Sequence, residues 1–170
     1  MFTFSRFGSP IFGGTAGVLV AGLSIAIPLA AQSPSRLAQT YVLVQTAILK
    51  GQQLETQGDL KGALAEYQKA LEANPRSSLA HYSIAEIQFE QRNYQASVNA
   101  CRDALRGDGD PSWTKVSSYI QIGKVFDVTG QRERALVQYG LAVQTNDNTR
   151  GAVDEARKLL QEPFIEPQEH

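Results

Sequence analysis

The sequence predicts an all-α fold in which short helices stack as antiparallel pairs. Three observations carry that prediction. The stretch from Ala47 to Pro75 holds Gly51, Leu54, Gly58, Ala63, Tyr67, Ala70 and Pro75 at spacings that suit two helices joined by a tight turn. The same pattern returns twice further along the chain. The segments flanking these copies carry apolar residues at helical spacing.

The chain has 170 residues, enough for one compact domain, and its single cysteine excludes an intramolecular disulfide framework. A net charge of -1 offers no bulk attraction to nucleic acid or to an anionic membrane surface. From Phe7 to Ser35 there is no charged side chain, and Ile11 to Ala31 is mostly apolar. Residues 1–31 therefore read as a signal peptide cleaved near Leu29-Ala30-Ala31-Gln32, or as a retained membrane anchor. The small residues at the end of the run and the polar Gln32-Ser33-Pro34-Ser35 favour the signal peptide. Gly13 and Gly17 would suit packing of two anchor helices. Arg6 ahead of the segment, weakened by Arg36 behind it, places the rest of the chain beyond the cytoplasm. The expected localisation is extracytoplasmic (secreted, periplasmic or lumenal) after cleavage, or membrane-anchored through residues 11–31.

Residues 32–43 form a linker and the start of an extended first helix, Ser35 to Gln57, on which Leu37, Tyr41, Val44, Ile48 and Leu54 recur. Its first turns are expected to cap the array. In the first repeat, 44–77, Gly51 is small where the paired helix comes close. Gly58-Asp59 ends one helix and starts the next, because glycine tolerates the left-handed conformation. Ala63 is small at the crossing, Tyr67 and Ala70 extend the apolar stripe, and Pro75 stops the second helix.

Thirty-four residues on, Ala47, Gly51, Ala63, Tyr67 and Ala70 become His81, Ala85, Ser97, Cys101 and Ala104. This second repeat, 78–115, is predicted to hold helices Leu79–Gln91 and Tyr94–Arg106. It departs from the pattern at Gln88, where a large apolar residue is expected, and at Arg92, where the turn glycine belongs. The loop from Arg106 to Trp113 breaks the period. Asp110-Pro111-Ser112 suits a helix start, and Trp113 is expected to pack on the preceding helix. The third repeat, 116–148, restores the pattern with Tyr119, Gly123, Phe126, Gly130, Ala135, Tyr139 and Ala142. A capping helix at 149–162 sets Val153, Ala156 and Leu160 on one face. Residues 163–170, with two prolines and no periodicity, read as a disordered tail.

The three copies resemble the tetratricopeptide repeat, over about residues 44–148. The resemblance implies a right-handed α-solenoid of three helix-turn-helix repeats, with an N-terminal extension helix and a C-terminal capping helix. It also implies a non-catalytic module that binds a peptide or partner helix on its concave side, lined by the first helix of each pair. The matching positions are Gln45, Ile48, Gln52 and Glu55, then Leu79, Tyr82, Glu86 and Phe89, then Ser117, Ile120, Lys124 and Asp127. Ile48, Tyr82, Phe89 and Ile120 are expected to be exposed apolar anchors within a polar rim. Relatives that clamp a peptide's terminal carboxylates use lysine, asparagine and arginine at set positions. Those places hold Ile48, Gln52, Ser83, Ser117 and Gln121, so no cationic cluster offsets carboxylate desolvation. Assistance to assembly of a membrane-associated complex is implied. Structural self-assembly, or a permanent accessory subunit, is the alternative.

Catalysis finds little footing. His81 falls on the buried face of the pattern, where a histidine bonded to a backbone group is expected. Cys101 takes the place of Tyr67 and Tyr139 and reads as a small buried residue. Asp108-Gly109-Asp110 begins like a calcium loop, but its twelfth position is Tyr119 and not a bidentate glutamate. The charges at Arg132, Glu133 and Arg134, and at Glu86, Glu90 and Arg92, read as solvated faces. No cofactor and no metal is expected; the partner is a protein or peptide, not nucleic acid.

Overall fold

The computed structural model describes residues 34–167. The signal or anchor segment lies outside the described residues. Seven α-helices follow in order among those described: α1 (Pro34–Thr56), α2 (Leu60–Ala73), α3 (Ser78–Glu90), α4 (Tyr94–Arg106), α5 (Trp113–Val128), α6 (Arg132–Gln144) and α7 (Ala152–Gln161). They pair as α1 with α2, α3 with α4 and α5 with α6, and α7 closes the stack on α6 and α5.

The crossing inside each pair is set by volume. A Cβ on Gly51 would lie 2.5 Å from the Tyr67 ring, and one on Gly123 would lie 2.3 Å from the Tyr139 ring. Both tyrosines are fully buried. In the middle pair Ala85 has the extra carbon and Cys101 is the smaller partner, both also fully buried. Ser97 fits that crossing by donating its hydroxyl to the Ala85 carbonyl at 2.8 Å.

The turns follow the sequence closely. Gly58 and Gly130 have φ of 79° and 72°, and Arg92 takes the same left-handed position at φ 60°. Asp59 caps α2 by accepting the Gly62 N–H at 2.9 Å. Two apolar clusters make the core. Ala80 and Ile87 of α3 belong to the first with Val44, Ile48 and Tyr67, whereas Ala85 of the same helix belongs to the second with Val98, Val116 and Tyr139. Ile84 touches both, which makes α3 the joint between repeats.

Two expectations are corrected, and two further contacts appear. The first turns of α1 do not act as a cap: Leu37, Tyr41, Val42 and Leu43 are exposed, because α2 ends too early to cover them. The insertion loop caps α3. The Asp108 carboxylate accepts the Ser78 N–H at 3.0 Å and the Asn74 amide at 2.8 Å, which gives those oxygens a structural use. Trp113 packs edge-on against Tyr82 of α3 at 5.6 Å, with the Arg150 guanidinium 4.5 Å from its ring. Finally, Pro163 to Pro167 does not trail away. Phe164 and Glu166 are half-buried against α3, α4 and α5.

Candidate protein-interaction face

The first helices α1, α3 and α5 carry the twelve positions expected to line the concave side, and the structure divides them into a floor, a polar centre and two rims. The floor corrects the expectation of exposed anchors. Ile48, Tyr82 and Ile120 are only 2%, 9% and 4% exposed, because each fills space between neighbouring helices. Tyr82 turns its ring to Trp113, and its hydroxyl donates to Glu86 at 2.9 Å. Phe89 is half-buried, stacked at a tilt on Tyr94 (5.7 Å) and Phe164 (6.0 Å).

The centre is acidic. Burial raises the Glu86 carboxyl to about 7; the Tyr82 hydroxyl and Lys124 oppose that rise, while Glu55 and Glu90 add to it. Glu55 is also raised, chiefly by burial, and accepts the Tyr67 hydroxyl. Gln52 is exposed, and Gln45, Leu79 and Ser117 are half-buried. Lys124 bridges to Glu155 of α7 at 2.7 Å. The positions that the resemblance assigns to clamping carboxylates hold no cation: Ile48, Ser83 and Gln121 are buried, Ser117 is half-buried and Gln52 is exposed.

At the rim formed by the N-terminal ends of α1 and α3, a cleft of about 310 Å³ opens among Leu37, Tyr41, Gln45, Leu79, Asn74 and Asp108. The opposite rim is organised by Asp127, whose carboxylate is fully buried. It accepts the Tyr139 hydroxyl at 2.8 Å, the Arg132 guanidinium at 3.0 Å and the Phe164 N–H at 2.8 Å. Arg132 therefore does not belong to a solvated face. Its second terminal nitrogen donates to the Leu159 and Leu160 carbonyls at 2.7 and 3.1 Å, satisfying the end of α7. Sequence reasoning missed Arg92, Tyr94, Arg132, Phe164 and Glu166. The available signals were an arginine at a glycine position and a lone aromatic residue in the tail.

Candidate catalytic groups are engaged structurally. Burial pushes the Cys101 thiol far above its usual range. His81 is half-buried, and its Nε2 donates to the Pro75 carbonyl at 3.0 Å.

Comparison with known proteins agrees with this architecture. Residues 48–112 match the family described as tetratricopeptide repeat. The Hsp70-Hsp90 organising protein of Plasmodium falciparum is 26% identical over 132 residues, which cover 70% of this chain and 23% of that protein. The chain thus spans about a quarter of that relative's length. Among solved structures, the N-terminal domain of stress-induced protein-1 from C. elegans superposes with a TM-score of 0.59 at 18% identity, covering 72% of this chain and 97% of that one. The TPR2B domain of yeast Sti1, in its complex with pHsp70, gives 0.62 at 17% identity, covering 71% and 94%. The fold and the three repeated helix pairs define a protein–protein interaction scaffold. Residues 48–112 carry the tetratricopeptide repeat, and the chain is similar in fold to proteins built from it.

Proposed function

We propose that the face formed by α1, α3 and α5 holds a segment of a partner protein, an extended peptide or one helix, and that the chain works without catalysis. The observation that carries this reading is the open acidic centre. Gln52 is exposed and Glu55 and Glu86 are half-buried, and these polar groups stand beside a floor of buried Ile48, Tyr82 and Ile120. Such a centre suits a partner segment with a cationic side chain and disfavours one that ends in clustered carboxylates.

A photo-crosslinking amino acid placed at Gln52, on the face, and separately at Gln68, exposed on α2, tests this in the full chain under native conditions. Adducts with a discrete partner are expected from position 52 and not from 68. The reverse pattern, or adducts from neither, would sink the reading.

The client is placed beside a membrane on the support of the uncharged run from Phe7 to Ser35. After fractionation, a soluble form starting near Gln32 would mean export, and a membrane-bound form retaining Arg6 would mean anchoring. A second reading, self-association or a permanent accessory subunit, draws on the exposed Leu37, Tyr41, Val42, Leu43 and Leu49 of α1. Its check is sedimentation: a mass that grows with concentration, and that Leu43→Lys returns to the monomer, would favour it.

A further inference from the structure

Across the C-terminal ends of α3 and α5, the concave face already has an occupant, the chain's own end. Glu162 leaves α7 with φ -126° and ψ 133°, an extended conformation. Asp127 accepts the Phe164 N–H at 2.8 Å, and the Phe164 ring lies against Phe89 with Lys124 Nζ 5.2 Å from its centre. Ile165 turns away and is 79% exposed. Glu166 turns back in, where its carboxylate accepts the Tyr94 hydroxyl at 3.0 Å and faces Arg92 at 3.7 Å. Inward, outward, inward is the alternation of an extended strand.

We propose that this rim is a peptide subsite for an extended partner segment bearing an aromatic side chain with a carboxylate two residues further on. Phe164 to Glu166 is its resident stand-in, displaced when the partner binds. The inference rests on the reading of the concave face given above.

Two observations argue against a mere cap. The first is that α7 is fastened without the tail: Ala152, Val153, Ala156 and Leu159 are buried beneath it, and Arg132 holds its final carbonyls. The second is Arg92. It occupies a left-handed turn position filled by glycine in both flanking repeats, and its guanidinium points to the acid of the seated segment. A residue kept in an unfavourable backbone region beside a polar contact is the pattern expected at a recognition point. Recognition is shared out by chemistry. Asp127 reads an amide, Phe89 and Lys124 read a ring, and Tyr94 with Arg92 reads a carboxylate.

The test uses a fluorescent peptide of residues 161–167 and two forms of the full chain, the native one and an opened one carrying Phe164→Ala and Glu166→Ala. The expected result is a Kd at least tenfold lower for the opened form, because the resident tail no longer competes. A peptide with alanine in place of its phenylalanine, or Arg92→Ala in the opened form, should weaken binding severalfold. Equal binding by both forms overturns the proposal. So does a lowered Tm of the opened form with no peptide bound, which would leave the tail as a cap only. Crosslinks from position 52 that persist without peptide binding would sink the subsite and leave the wider reading standing. Peptide binding without such crosslinks would do the opposite.

Discussion

Glu86 concentrates the conflict between burial and charge on the face formed by α1, α3 and α5. Its folded-state value of about 7 lies above the ordinary 4.5, so between those values the folded chain binds more protons than the unfolded one. Stability on this account falls as pH rises from about 4.5 to about 7, and the loss is complete above it. Glu55 and Glu90 face it with the same sign, and Lys124 with the opposite one. Glu86→Gln stays neutral and keeps an oxygen for the Tyr82 hydroxyl. The variant should therefore match the native chain near pH 4 and exceed it at pH 8 by about 3 kcal/mol, measured by denaturant titration. An equal gap at both pH values would mean that Glu86 is not the titrating group.

At the scale of the element, the helix crossing is the feature that three copies solve in two ways. Gly51 with Tyr67 and Gly123 with Tyr139 give a large ring against a bare backbone, whereas Ala85 with Cys101 divides the same volume differently. Cys101→Tyr alone should cost about 1–3 kcal/mol, because the ring meets the Ala85 methyl. Adding Ala85→Gly should recover much of that loss, a coupling visible in a double-mutant cycle of thermal melts. Additive costs would mean that the middle crossing has a different geometry. This swap was legible in the sequence, since period and register alone align the six residues. The burial of Ile48, Tyr82 and Ile120 was not. A first-helix position predicts a side, but the depth there depends on how closely the next repeat stacks, and Trp113 arriving from an irregular loop closes over Tyr82.

Over the whole molecule, stability in a stacked array passes from neighbour to neighbour, so damage at one end should stay there. Arg132→Ala leaves the buried Asp127 short of a cation and frees two carbonyls of α7. The expected cost is about 3 kcal/mol, with amide exchange accelerated in α5 to α7 and little changed in α1 and α2. Uniform acceleration would show one cooperative unit instead. The sequence by itself determined the helices, their pairing, their turns and the resemblance to the tetratricopeptide repeat. Those follow from local spacing, from glycine's backbone freedom and from small residues where helices cross. Tertiary structure alone decided which first-helix residues sink into the floor, that the insertion caps α3, and that Phe164 and Glu166 return to α3, α4 and α5. Each depends on contacts between residues far apart in the chain, and spacing along the chain carries no record of those distances.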